Sequence, residues 1–493
     1  MPGIIDKLQI HPPRYGPEWG SGGIFGLKYH RGVLYYTVAF EAEAYFIRED
    51  SVKTYGFEKV GSPPTSGGDT YNAVDAVDDL IFFGGWVHAP AKYVIENGKR
   101  KINFENKYSH VHIYNISEDS IDLLWKDSVH EKEKWVGEVS EIIYDPVNDR
   151  LLLARGDGME NLGIYSLDYK TRKITRLTDK PVLKGTLIRE QACFNVHIFG
   201  FVGTESIQCV DLVSGKIQVH SIPRSGERVV DGGSVEAPMT GAMASCYGRL
   251  FDFVRGGLFI GNPADEEEPM YFLRLFDFVT SGYGPLRTKA VNIGGGILVA
   301  YNAFTHAVLR PSNEFEQMIK KSLNTIVGPS VLVYITPPSA RIVGVFGARI
   351  TSIEKVGGNI VLGVSNDANY MWYDATPNDT GTKSFVVLPD SILTKSPPSV
   401  TYSVYGWMIS NKHWGGIPLY GYREPRLVIN ASKKNTLEIY EYDLSIPPAG
   451  SVVEKISIDE GKNIIDLKSC RGAIVSFRLV EEDAKLRGRI ILE

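Results

Sequence analysis

SEIIYDPVNDRLLLARGDGMENLGIYSLDYKTRKITRLTD, residues 140–179, decides the fold class. The apolar run EIIY enters the turn DPVND, RLLLAR follows, and after a loop come GIYSLD, the turn YKTR and KITRL. Short Asp-, Pro- and Asn-bearing turns between β-branched and aliphatic runs are hairpin signals, so the stretch reads as a four-stranded antiparallel meander. The same grammar returns in FNVHIFGFVGTESIQCVDLVSGKIQVHSIP, in ARITSIEKVGGNIVLGVSNDANYMWYDATPNDTGTKSFVVLP and, with longer loops, in RLVINASKKNTLEIYEYDLSIPPAGSVVEKISI.

Nine hairpins of this kind can be marked along the 493 residues. A four-stranded sheet recurring every ~40–60 residues cannot bury both faces alone, and the stable solution is a β-propeller in which sheets pack face to face around an axis. The composition agrees: 50 Gly, 26 Pro and 11% aromatic residues make an all-β profile. Propellers usually have about four to eight blades, so eight blades of four strands are expected, with seven and nine open. The chain reads as one domain, 1–493. Its end, GRIILE, looks like a strand lacking a partner, and so does DKLQIHP near the start. Pairing the N-terminal strand 6–12 with the last blade, 461–493, would close the ring and leave no free edge. One helix is expected, an insertion over 312–327, where Asn313 can cap and Phe315, Met318, Ile319, Leu323 and Ile326 form an apolar stripe.

With strands A to D alternating in direction, A–B and C–D turns fall on one face and B–C and D–A connections on the other. The long insertions 89–109, 256–269 and 305–330 read as B–C loops, so one face is elaborated. Elaborated loops on a rigid scaffold are where binding usually resides. The tips Lys99-Arg100-Lys101 and Asp265–Glu268 read as solvated hairpin ends.

A net charge of −5 gives no field that favours nucleic acid or an anionic membrane. No basic-then-apolar leader opens the chain, and no apolar run approaches the ~20 residues of a membrane span, so a cytoplasmic location is expected. Cys193, Cys209, Cys246 and Cys470 form no CxxC pair and read as free buried thiols. Five glutamines in the whole chain hint at a thermophilic source. Nucleotide, serine-hydrolase and zincin motifs are missing; WGSGGIFG leads into a strand rather than a helix N-terminus and is no phosphate loop.

The chemistry-bearing stretch is GGWVHAPAKYVIENGKRKINFENKYSHVHIYN, residues 84–115, with His88, His110 and His112. If the two-residue turn at Asp78-Asp79 sets the register, Asp69 falls opposite His88, and antiparallel pairing brings the next strand alongside. His110 and His112, two apart, share a side. Three imidazoles would suit Zn, Mn or Fe and leave a position open for water or substrate, with Asp69 as fourth ligand or as acceptor for a ring N–H. A bulge at Gly84-Gly85 would turn His88 to the other side; otherwise the residues are ordinary polar lining.

GGWVHAPA together with SHVHIYN, in a propeller-like chain of this length, resembles an uncharacterised, crenarchaeal-type family of conserved archaeal proteins. The resemblance implies archaeal origin and brings no activity, cofactor or catalytic residue. Two functions therefore stand. The first is a binding or scaffold propeller whose protein or small-molecule partner meets the elaborated face. The alternative is a metal-dependent hydrolase or lactonase-like enzyme built on the three histidines.

Overall fold

The computed structural model describes residues 2–12, 22–96, 99–129, 134–198, 203–235, 240–265, 267–278, 284–302, 330–365 and 382–493. The expected helix at 312–327 lies outside the described residues. The stretch that opened the sequence forms four strands, Val139–Asp145, Arg150–Arg155, Gly163–Leu167 and Ile174–Arg176, each paired antiparallel with the next. Its second strand is apolar between its terminal arginines, from Leu151 to Ala154, because both faces are covered. Leu151 and Leu153 pack toward the preceding sheet and Leu152 and Ala154 toward the following one. Each leucine so buried contributes ~1.5–3 kcal/mol.

Among the described residues, seven antiparallel sheets follow one another, five of four strands, sheet 2 of five and sheet 7 of three: 24–55 (sheet 1), 66–128 (sheet 2), 139–176 (sheet 3), 182–221 (sheet 4), 240–274 (sheet 5), 290–346 (sheet 6) and 349–389 (sheet 7). The innermost strands are Ile24–His30, Val74–Val77, Val139–Asp145, Val182–Ile188, Thr240–Cys246, Ala290–Ile293 and Arg349–Val356. Each lies against the next, and Arg349–Val356 lies against Ile24–His30, so the cycle closes. The fold is a β-propeller, and seven sheets of the described residues take part in this cycle.

The ring spans 24–389 and not the whole of 1–493. Residues 400–492 form two further four-stranded sheets outside the cycle. One has the order Val400–Tyr405, Arg487–Leu492, Arg426–Ala431, Gly461–Asp466; the other has Trp414–Pro418, Ile474–Leu479, Asn435–Tyr442, Val452–Ile458. Their strands interleave in sequence, unlike the meanders of the ring. Apolar burial joins this C-terminal unit to sheets 5 and 6, and backbone bonds from Phe276 N to Gly416 O (3.0 Å) and Leu444 N to Pro338 O (2.8 Å) tie the seam. At its centre Arg274, 3% exposed, donates to Asp231 (2.7 Å) and to Asp277, while the Tyr442 hydroxyl donates to its carbonyl (2.8 Å).

The termini depart from expectation. Strand Arg487–Leu492 is flanked on both sides, by Val400–Tyr405 and Arg426–Ala431, so it has no edge to offer residues 6–12. Instead His11 exchanges two backbone hydrogen bonds with Lys383 in sheet 7, at 2.8 and 3.0 Å. Ile4, with Ile5 and Leu8, packs on residues of sheets 1 and 7. The N-terminal segment thus seals the seam where the ring closes. Two smaller readings change as well. Gly257–Gly261 is a strand, so Asp265, Glu267 and Glu268 sit in the C–D connection of sheet 5, on the tight face. Cys193 and Cys209 face each other across adjacent strands of sheet 4 and are joined as a disulfide, while Cys246 and Cys470 are free. No described helix is long and apolar enough to cross a membrane.

Candidate functional site

The long insertion 89–109 is a continuation of its hairpin: Leu80–Glu96 and Lys99–Asn115 pair from base to tip. In that ladder Phe83 faces His112, Gly85 faces His110 and His88 faces Lys107. The odd spacing between Gly85 and His88 puts them on opposite sides of the sheet. His110 and His112 turn toward sheet 1, against Phe57 and Phe83. His88 turns the other way and lies flat on Phe104, with ring centroids 3.7 Å apart, beside Trp86. The three-histidine set is therefore split.

Asp69 is not opposite His88 either; Ser66 is. The turn at Asp78-Asp79 does pair Val77 with Leu80, but the ladder resumes beyond Phe83 with Gly68 opposite Trp86, so three extra residues arch out of the inner strand. The Asp69 carboxylate holds this arch by accepting the N–H groups of Tyr71 and Ala73, each at 2.7 Å. Gly85 (φ 144°) lets it pass: a Cβ there would meet the Gly68 carbonyl at 2.7 Å. Burial pushes the Asp69 carboxyl up to about 7.

What remains of the set is a pair. His110 Nδ1 and His112 Nδ1 lie 3.1 Å apart and share a hydrogen bond, and His112 Nε2 meets the Tyr55 hydroxyl at 3.1 Å. Burial pushes His110 down to about 3 and His112 well below its usual range. Among the described residues, no three His, Cys, Asp or Glu side chains are placed to hold a metal ion.

The elaborated face gathers a different set of residues around the axis. The connection entering sheet 3 pairs with that sheet's own B–C loop: Gly137 N donates to Glu160 O and Glu138 N to Asp157 O, both at 2.8 Å. This close ladder needs glycine, since a Cβ on Gly158 would sit 2.6 Å from Gly137 Cα. It sets the side chains of Glu138 and Asp157 beside one another at the mouth. Glu138, 0% exposed, accepts from Thr70 N (3.1 Å) and Thr70 Oγ1 (2.8 Å). Asp157 accepts from the Tyr71 hydroxyl (3.0 Å) and the Arg287 guanidinium (2.8 Å), and that guanidinium lies 4.5 Å over the Tyr71 ring. Lys107 extends between Trp86 (4.8 Å) and Trp135 (5.4 Å).

The two carboxyls are driven apart. Burial raises Glu138 well above the usual range, with the Asp157 charge adding to it against the pull of Lys107 and Arg287. Burial also acts to raise Asp157, but Lys107, Arg287 and the Tyr71 hydroxyl outweigh it and hold that carboxyl below its ordinary range. Sequence reading missed these residues because they stand on connections from sheets 2, 3 and 6 with no local pattern. Glu138 does not stand out locally, because the inner strand that follows it, VSEIIYD, carries acidic residues of its own.

A family model described as an uncharacterized protein conserved in archaea (DUF2139) matches residues 34–373. The chain belongs to that archaeal family. The matched span covers most of the ring and leaves out the C-terminal unit, so the axial cluster is part of what the family model describes. Among curated proteins, none matches in sequence. Solved structures similar to it include the β-propeller domain of the Trilobed protease from Pyrococcus furiosus, 10% identical with a TM-score of 0.39, covering 74% of this chain and 92% of that one. Saccharomyces cerevisiae Sqt1 is also similar, at 10% identity and TM-score 0.37 over 75% of this chain and 97% of that one. So is a luciferin-regenerating enzyme, at 11% identity and TM-score 0.32 over 57% and 86%. Likeness at this level carries no functional argument.

Proposed function

We propose that this protein is a binding propeller that takes a small polar molecule or an extended peptide at the elaborated face, over Glu138, Asp157, Arg287 and Lys107. The observation that carries the reading is the convergence of buried charges from three sheets on the axis. A buried ion pair is a weak way to stabilise a fold, since well-packed apolar residues of similar volume do as well or better. Charges kept at the mouth of a rigid ring are better accounted for by recognition. The test is a thermal-shift titration of the full chain with a panel of amino acids, short peptides and mono- and disaccharides. Stabilisation that vanishes in Asp157→Asn or Trp135→Ala, with each variant still folded, supports the reading. Stabilisation insensitive to both variants, or none across the panel, sinks it.

One observation favours a second reading. Paired carboxyls whose proton affinities are pushed apart are the arrangement of a general acid and base. Turnover of a panel member that Glu138→Gln abolishes while binding survives would make the protein a metal-independent hydrolase rather than a binder. The three-histidine hydrolase is not carried forward, because His88 stands on the far side of its sheet.

A further inference from the structure

We propose that the axial well at the tightly turned end of the ring binds the carboxylate of a small molecule, held by Lys28 and Lys289. The site lies at the opposite end of the axis from Glu138 and Asp157 and does not rest on the reading given for them. The well has a volume of about 320 Å³ and is walled by the inner strands of sheets 1 to 6. Three lysine–carboxylate pairs stand around it: Lys28–Asp75 at 3.1 Å, Lys184–Glu141 at 2.5 Å and Lys289–Glu354 at 3.4 Å. Between them sheets 4 and 5 line the well with the small residues Gly185, Ala242 and Ala244.

An account of the ammonium protons separates the three lysines. Lys184 donates to Tyr71 O (2.7 Å), Ser140 O (3.1 Å) and Glu141, which uses all three of its N–H groups. Lys289 donates to Leu27 O (2.9 Å) and Glu354 (3.4 Å), and Lys28 to Asp75 alone. Among the described residues this leaves two N–H groups on Lys28 and one on Lys289 for an acceptor in the well. Both lysines line the well, and burial, with the Lys28 charge acting in the same direction, holds Lys289 below the usual lysine range against the pull of Glu354. A carboxylate offers two oxygens with about four lone-pair sites and makes charge-assisted hydrogen bonds roughly twice as strong as neutral ones. At the lower end of ligand-pocket size, ~300 Å³, the well suits a molecule no larger than an amino acid or a short organic acid.

Calorimetric titration of the full-length protein at fixed ionic strength tests the site with pyruvate, L-alanine and inorganic phosphate. Saturable binding of pyruvate or of L-alanine is expected, and which of the two binds tighter tells a plain anion from a zwitterion. Lys28→Gln and Lys289→Gln should each weaken that binding at least about tenfold. Ala242→Phe, at a lining residue that belongs to none of the apolar core clusters and carries no charge, should abolish it, and it decides the matter if a lysine variant fails to fold. Asp157→Asn should leave the affinity unchanged, which keeps the two ends of the axis distinguishable. The proposal is overturned if neither carboxylate binds at about 10 mM, if only phosphate binds, or if Ala242→Phe binds as the wild type does.

Discussion

The ring and the C-terminal unit are both built of antiparallel sheets, most of four strands among the described residues, yet they are stabilised differently. In the ring each described strand but Ser66–Gly68, which pairs with Leu80–Glu96, pairs with its neighbour in the chain, sheets are covered on both faces, and stability comes from apolar layers such as Leu151 and Leu153 against Phe82 and Val111. In the C-terminal unit every pair but Asn435–Tyr442 with Val452–Ile458 is distant in sequence, Val400–Tyr405 with Arg487–Leu492 for example, and the edge strands Val452–Ile458 and Gly461–Asp466 face solvent. The seam between them is not purely apolar; it centres on Arg274 between Asp231 and Asp277. Local pairing makes a repeat, whereas distant pairing makes an attached unit that depends on its junction.

The largest effect should come from that junction. Arg274→Met leaves Asp231 buried without its guanidinium, and breaking a buried pair this way costs ~3–5 kcal/mol. Chemical denaturation should show the loss, and hydrogen exchange should place it on residues 400–492 before the ring. Equal protection in both regions would mean that the unit and ring unfold as one.

Next is the closure of the ring. Removing residues 2–12 strips Ile4 from Ile24 and Leu27 and frees the Lys383 backbone, a loss of about 3 kcal/mol from one buried isoleucine and its hydrogen bonds. The melting temperature should fall accordingly. An unchanged value would show that sheet 1 against sheet 7 suffices without the seal.

Acid should distinguish the two regions more finely. His110 sits at about 3 when folded, and an unfolded histidine titrates near ~6.5. Between those values the unfolded chain binds more protons, so the stability held above pH ~6.5 is lost as pH falls toward ~3, at up to about 1.4 kcal/mol per unit. His112, also lowered, adds to the slope. Urea midpoints measured from pH 7 to 5 should fall, and they should fall less in His110→Phe. A slope unchanged by that variant would assign the acid sensitivity elsewhere, Asp69 and Asp252 excluded, since both are raised and work in the opposite direction.

The smallest effect is expected at the outer edge of the C-terminal unit. Val452 is 72% exposed, so Val452→Lys should change stability by less than about 0.5 kcal/mol. A loss above about 1 kcal/mol, dependent on protein concentration, would mean that the edge is covered by a second copy in solution.

What the sequence alone determined is the repeated unit. Turn residues such as Asp145-Pro146 and alternating or continuous apolar runs are local signals, and in a meander the partner of each strand is the next one along, so local signals suffice for residues 24–389. The division of the ring into a tight and an elaborated face followed from strand direction by the same logic, and the side shared by His110 and His112 followed from a spacing of two. Tertiary structure decided everything that needed a partner far away. GRIILE reads as an orphan strand, but its partners Val400–Tyr405 and Arg426–Ala431 lie ~60–90 residues back, and no local pattern encodes such a pairing. His88 and Asp69 left the expected site because an arch of three residues and an odd strand offset move side chains to another face, a shift that changes no composition and little periodicity. Glu138, Asp157 and Arg287 meet only because closing a ring brings connections from different sheets to one axis.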